Sequence, residues 1–316
     1  MHALAHAGSE NDNVHRSRGD VIQNFIMRSR RGFLAKLSVL ALACLIAGCS
    51  ALRLGYANGE SVVYWWLDGY VDFTSEQKPL VKSQIRQLFA WHRATQLQDY
   101  ARLLAQAQQD LQRPLTAADA LEDYAALKKR AMLVTDKALP ALADLALSLQ
   151  PKQIDHLARK FAANNEKYRK DALQGGVEER QRFRFKKFMK QAEYWFGDFS
   201  AQQEARIRAA SDARPLDNEL WMADRLRRQQ ELLRLLRKIQ AERPGREAVM
   251  TMLRSYIDAV FNIVSYDEHK ALFDASQDAN AKLVALLVNI ATPQQKAHAA
   301  KRLQSLIEDC RALAVQ

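Results

Sequence analysis

Asp68 and Asp72 stand four residues apart, so on a helix both carboxylates share one face. Paired carboxylates can divide acid–base work between them or hold a cation. They lie in a strongly aromatic stretch, Val63-Tyr64-Trp65-Trp66-Leu67-Asp68-Gly69-Tyr70-Val71-Asp72-Phe73, and Trp91-His92-Arg93 follows one helix later. Convergence of these groups would make a hydrolase-type centre around Asp68, Asp72 and His92. Trp65 and Trp66 would form an aromatic wall, His92 and Arg93 would complete the pocket, and Trp91 is a further candidate binding residue. The competing arrangement makes the aromatics core and has Asp68 and Asp72 pair with Arg86 or Arg93, or cap a turn. Gly69 between the two carboxylates weakens a helical placement. The second arrangement is the one expected, and an enzyme is the alternative.

A second cluster mixes base and aromatic: Arg180, Arg182, Phe183, Arg184, Phe185, Lys186, Lys187, Phe188 and Lys190. Such interleaving can stack bases and contact phosphates. At helical spacing, however, Phe185, Phe188, Ala192 and Trp195 form one stripe, with the charges on the flanks. The expectation is a solvated basic surface, with an anionic lipid or partner as the other use for it. Arg225, Arg227, Arg228, Arg234, Arg237 and Lys238 are expected to form a second solvated face. His92, His156, His269 and His298 have no histidine or cysteine at metal-site spacing, so no metal site is expected. No phosphate loop, dinucleotide fingerprint or nucleophile elbow occurs, and no cofactor is expected.

Cys49 carries the other chemistry. Arg28, Arg30, Arg31 and Lys36 precede an apolar run from Leu37 to Ala47, then Gly48 and Cys49. A spanning helix needs about 20 residues, so this shorter run targets and does not span. Leu45-Ile46-Ala47-Gly48-Cys49 resembles a bacterial lipoprotein signal. That resemblance implies cleavage before Cys49, a diacylglyceryl thioether on its sulfur and a further acyl chain on its new amino group. Several chains anchor stably where one is marginal. Ser50, where an aspartate tends to retain enterobacterial lipoproteins in the inner membrane, leans toward the outer membrane. Ser29-Arg30-Arg31-Gly32-Phe33-Leu34 also looks like a twin-arginine motif, but with no cofactor motif downstream the two arginines read as ordinary signal charge. Residues 1–26 are polar and fit no signal start; Met27 does, so 1–26 are expected to be a gene-model extension, 27–48 the signal peptide and 49–316 a single helical periplasmic domain.

The whole chain has 316 residues and a net charge of +11. The part from Cys49 on keeps a charge of +8, and at 268 residues it is long enough for a sizeable core. A basic balance usually suggests nucleic acid. The expected compartment turns it toward an envelope protein or an anionic envelope polymer instead, besides the membrane reached through lipid on Cys49. Cys44 leaves with the signal and Cys49 takes lipid, so Cys310 has no disulfide partner. It stands in a stripe with Leu303, Leu306, Ile307 and Leu313, as a buried small hydrophobe would.

These groups must be positioned by helices. With only 11 Gly and 7 Pro, and with apolar residues recurring at helical spacing, the chain reads as all-α, an antiparallel bundle or irregular helical array. Val249, Leu253, Tyr256, Val260 and Val264 make one stripe; Leu283, Leu286, Leu287 and Ile290 make another. Helices are predicted over 60–71, 75–95, 97–112, 117–147, 151–173, 177–196, 201–212, 217–241, 246–265, 268–290 and 293–314, with breaks near Pro114, Pro140, Gly175-Gly176, Gly197, Pro215 and Pro244-Gly245. Four starts share a form: Thr74-Ser75-Glu76-Gln77, Gln150-Pro151-Lys152-Gln153, Ser200-Ala201-Gln202-Gln203 and Thr292-Pro293-Gln294-Gln295. Each ends on a glutamine at capping-box spacing. They resemble the LTxxQ-type repeats of small periplasmic helical stress proteins, which bind misfolded polypeptides or metal. Capping boxes are general to helical proteins, and the uneven spacing is not that of a solenoid, so the starts are taken as helix signals alone.

The lipobox, Arg53-Leu54 through Asp72, and Trp91-His92-Arg93 together resemble an uncharacterised proteobacterial lipoprotein family, domain of unknown function 6279. The resemblance implies an exported lipoprotein and no known activity. Its clear motifs lie between 49 and about 105.

Overall fold

The computed structural model describes residues 51–262 and 267–315. The expected extension, the expected signal and Cys49 lie outside the described residues. Eleven α-helices follow in order: α1 (Ala51–Val71), α2 (Gln77–Thr95), α3 (Leu97–Asp110), α4 (Ala117–Ser148), α5 (Pro151–Tyr168), α6 (Val177–Phe196), α7 (Ala201–Asp212), α8 (Asn218–Glu242), α9 (Arg246–Asn262), α10 (Asp267–Ile290) and α11 (Pro293–Ala314). No strand occurs among the described residues, and the class is all-α. None of these helices is long and apolar enough to cross a membrane.

Two predicted boundaries need correction. The first helix begins at Ala51, not near residue 60, and it runs through Gly55, Gly59 and Gly69. Tertiary contact overrides the weak glycine propensity: a Cβ on Gly59 would lie 2.6 Å from the Phe89 ring, so any other residue there would have to displace that ring. Pro140 is not a break but sits inside the 32-residue α4. Its missing N–H costs one rung of the helix ladder, and its neighbours Leu139 and Ala143 are buried. At Arg169–Leu173 the end of α5 widens into a π-helical turn, whose Ala172 carbonyl accepts from Asn218 Nδ2 at 2.6 Å.

Three cores among the described residues hold the helices. Tyr64, Phe73, Val81 and Ile85 join α1 to α2. Leu139, Ala143, Ile154, Leu157, Leu236, Ile239, Val249 and Leu253 join α4, α5, α8 and α9. Leu115, Met189, Phe196, Ile207, Leu283, Leu287 and Leu303 join α6, α7, α10 and α11 to the turn before α4. The basic helix α6 turns Met189, Ala192 and Phe196 inward; of the predicted stripe only Ala192 is fully buried, while Phe185, Phe188 and Trp195 pack half-buried against the same core. α11 lies along α3, and its Cys310 is buried with Ile307 and Leu313.

The four glutamine starts form two pairs, which their local spacing does not disclose. Gln77 and Gln153 face each other, with Gln153 Nε2 donating to Gln77 Oε1 at 2.7 Å. Gln203 and Gln295 do the same, with Gln203 Nε2 donating to Gln295 Oε1 at 2.8 Å. Each side-chain oxygen also accepts from a backbone N–H three residues earlier: Thr74 at 3.0 Å, Gln150 at 3.0 Å, Ser200 at 2.9 Å and Thr292 at 2.8 Å. Each side-chain nitrogen donates to the carbonyl five residues before its partner: Gln77 to Ser148 and Gln153 to Asp72, both at 3.0 Å, then Gln203 to Ile290 at 2.8 Å and Gln295 to Asp198 at 2.6 Å. One amide thus caps its own helix and terminates a distant one. Gln153 is only 2% exposed, and a buried polar group left without its partner costs about 1–3 kcal/mol. Gln153→Leu is therefore expected to lower unfolding stability by about that amount in urea. In double-mutant cycles Gln77→Leu and Gln153→Leu should be strongly non-additive, whereas Gln153→Leu and Gln203→Leu, which share no partner, should add to within about 0.5 kcal/mol.

Candidate functional site

Asp68 and Asp72 end α1. The Asp68 carboxylate accepts from the Phe73 backbone N–H at 2.9 Å, and the Asp68 carbonyl accepts from the Asp72 N–H at 2.8 Å. Asp72 takes the left-handed conformation, φ 56°, that turns the chain toward α2. Its carbonyl, not its carboxylate, is engaged, by Gln153. The two acids are thus turn-builders, one of the arrangements expected for them.

His92 lies elsewhere. Its Nδ1 is 2.5 Å from the Tyr56 hydroxyl, near the opposite end of α1. At 1.5 Å per residue, Tyr56 and Asp68 are separated by roughly 18 Å along the axis. The hydrolase-type centre of Asp68, Asp72 and His92 is therefore not assembled. Instead His92 packs within a ring cluster: its centroid is 6.1 Å from Tyr56 and 5.4 Å from Tyr100, while Tyr56 meets Phe89 edge-on at 5.4 Å. The Arg93 guanidinium lies over the Tyr56 ring at 5.6 Å, a cation–π contact. Burial pushes the Tyr56 phenol up to about 12, against the opposing pull of Arg93. Burial likewise pushes His92 below the ordinary histidine range. A neutral tyrosine beside a neutral histidine is a packed hydrogen-bonded pair rather than an acid–base couple poised near pH 7.

Trp91 and Trp65 part company too. Trp65 is 68% exposed on the outer side of α1. Trp91 lines a cavity of about 460 Å³ between α1, α2 and α4, a volume within the range of ligand pockets. Val63 and Leu67 form one wall, Leu80, Val81, Ile85 and Leu88 the next, and Pro140, Ala141 and Leu145 the third. Leu80, at 50% exposed, stands at the opening. The rim is polar: Arg246 grips Asp144 through two bonds of 2.6 and 3.0 Å, and Lys137 Nζ lies 5.8 Å from the Trp91 ring. Sequence reasoning missed this groove. The signal available was α2 itself, whose apolar residues at 80, 81, 85 and 88 cover more arc than one packed stripe needs.

The six basic residues divide. Arg180 bonds Glu219 at 2.7 Å and also reaches the Leu173 carbonyl. Arg184 is half-buried and donates to the carbonyls of Ser211 at 2.7 Å and Pro215 at 2.8 Å, satisfying the end of α7. Burial lowers the pKa of Arg184 from its ordinary value. These two are structural rather than part of a solvated surface, because a guanidinium reaches orphaned carbonyls that a lysine on the same face does not. Arg182, Lys186, Lys187 and Lys190 remain exposed, with Lys187 Nζ 4.2 Å above the Phe183 ring. On α8, Arg227 and Arg228 turn inward to the buried Asp224, at 2.6 and 2.9 Å, so that face is only partly solvated. No group of three His, Cys, Asp or Glu that could hold a metal occurs among the described residues.

Residues 69–255 match the model of a family described as "Family of unknown function (DUF6279)". The chain belongs to that family. The DUF6279 match spans α2 and most of the groove, Trp91-His92-Arg93 and the basic helix α6, and begins after Trp65 and Asp68. No curated protein and no solved structure matches the chain.

The His92 environment sets a pH dependence. Burial disfavours the imidazolium in the folded chain, so on acidification the unfolded chain takes up the proton first. Stability from this group is complete above the ordinary histidine midpoint of about 6.5 and declines as pH falls below it. In thermal melts between pH 7.5 and 5, the midpoint of the parent protein should drop more steeply than that of His92→Gln.

Proposed function

We propose that this chain is a lipid-anchored protein of the bacterial envelope, held at the periplasmic face of the outer membrane by Cys49. Its helical body holds an apolar segment of a partner polypeptide in the groove between α1, α2 and α4. The observation that carries this reading is the groove: three apolar walls, an opening marked by the exposed Leu80, and a charged rim of Lys137, Asp144 and Arg246. An apolar side chain entering it leaves water on three sides, and the rim can bond the backbone of the entering segment. The lipobox sequence supports the anchor.

Two measurements test the two halves of the proposal. For the groove, a permanently unfolded model polypeptide, reduced and carboxymethylated α-lactalbumin, is titrated while tryptophan emission is followed. Binding is expected for the parent, and Ala141→Trp, which fills the groove, should weaken it at least tenfold with helical circular dichroism unchanged. Equal affinity for both proteins rejects the groove as the site. For the anchor, intact mass of the envelope-extracted protein should correspond to a chain beginning at Cys49 plus three acyl chains, and a mass without lipid rejects it.

A further inference from the structure

The outer side of α1 faces none of the three cores. At about 100° per residue, Leu54, Asn58, Ser61, Val62, Trp65 and Trp66 fall within roughly 140° of arc. All six are exposed, Leu54 at 56%, Val62 at 62%, Trp65 at 68% and Trp66 at 60%. No charged residue lies in that arc, since Arg53, Glu60 and Asp68 project from the rest of the helix. Two adjacent tryptophans more than half exposed on an uncharged face are costly to leave in water, and they mark a contact surface.

Along the border of this face runs a basic stripe. Lys78, Lys82 and Arg86 are exposed at four-residue intervals on α2, and that helix holds no Asp or Glu from Gln77 to Thr95. Lys82 Nζ sits 4.6 Å over the Tyr64 ring, and Tyr64 meets Trp65 edge-on at 5.4 Å. An apolar aromatic strip edged by cations has the composition of a helix lying in a membrane surface. There indole rings settle at headgroup depth and lysine or arginine meets the phosphates. The helix is not long and apolar enough to cross a bilayer, so it would lie in the plane.

Chain length names the occupant. Leu54 is five residues beyond Cys49, at most about 18 Å of extended chain. Under the anchor reading above, on which this part of the argument rests, that tether keeps α1 at the lipid surface and leaves little room for another molecule between them.

We propose that the outer face of α1 is embedded in the surface of an anionic bilayer, with Trp65 and Trp66 at the boundary of headgroups and acyl chains and Lys78, Lys82 and Arg86 on the lipid phosphates. The body is then docked on the membrane at two places, the lipid and α1.

The test uses the lipidated protein reconstituted into vesicles of phosphatidylethanolamine and phosphatidylglycerol carrying brominated acyl chains, which quench indole emission on contact. Strong quenching is expected for the parent. Trp65→Phe/Trp66→Phe, which leaves the fold and Trp91, Trp195 and Trp221 in place, should lose at least two-thirds of it. Lys78→Glu/Lys82→Glu/Arg86→Glu should reduce quenching on these vesicles and not on purely zwitterionic ones. Quenching equal in parent and double variant overturns the proposal. So does sedimentation in detergent showing a dimer that Trp65→Ser/Trp66→Ser dissolves, since a second copy then covers the face. Protein found without lipid on Cys49 is added to the same vesicles instead. Quenching of Trp65 and Trp66 there sustains the α1 surface while the anchor reading fails, and its absence overturns both.

Discussion

Two reciprocal glutamine pairs organise this chain. A helix start leaves N–H groups without partners and a helix end leaves carbonyls without partners. Most proteins satisfy these locally, one cap at a time. Here a single amide meets both needs at once, because it has an acceptor and two donor hydrogens on one rigid plane. Gln77 and Gln153 lock the α1–α2 turn against the α4–α5 turn. Gln203 and Gln295 lock the α6–α7 turn against the α10–α11 turn. The two locks have the same geometry down to the five-residue offset of the accepted carbonyl. The first of them borders the groove, since Gln77 and Ser148 are among its lining residues.

Much of the architecture was legible in the sequence because it is local. The helix starts at Ala117, Pro151, Val177, Ala201 and Pro293 fall where capping residues, Pro or Gly place them. The buried positions Val249, Leu253, Leu283 and Leu287 fall on the stripes that periodicity marks. What was not legible is non-local. The pairing of the glutamines joins positions 76 and 92 residues apart, and uneven spacing concealed it. The candidate site failed for a related reason. An antiparallel hairpin brings together residues equidistant from its turn. Tyr56 and His92 are each eighteen positions from Thr74, and they meet; Gly59 and Phe89 are each fifteen from it, and they nearly touch. By that count Asp68 belongs opposite residue 80, not His92. The arithmetic needs α1 to extend back to Ala51, and its glycines argued against that.

Arginine carries a comparable share of the tertiary structure. Arg184 closes the end of α7, Arg246 grips Asp144 across the α4–α9 contact, and Arg227 and Arg228 share Asp224. A count of cations therefore overstates the charge available to partners, since forked guanidinium groups are spent on carbonyls and carboxylates inside the fold. The charges left at the surface include Arg182, Lys186, Lys187 and Lys190 on α6, the stripe on α2, and others such as Arg159 and Lys160 on α5 and Arg234 and Lys238 on α8. Exposed positions such as these are where a basic balance can act on something outside the molecule.

The lie of α11 along α3 has a consequence for the order of assembly. A chain delivered from its N-terminus presents Gln77 and Gln153 early, and the first lock can close while later helices are still arriving. The second lock waits for Gln295, and α3 waits for α11, its main neighbour. Closing the longer of two loops of similar size adds only a few tenths of a kcal/mol of entropy, so timing, not loop length, separates the two events. Until the final helix arrives, the apolar side of α3 stays open to solvent. The packing of α3 is thus completed by α11 rather than by the helices between them.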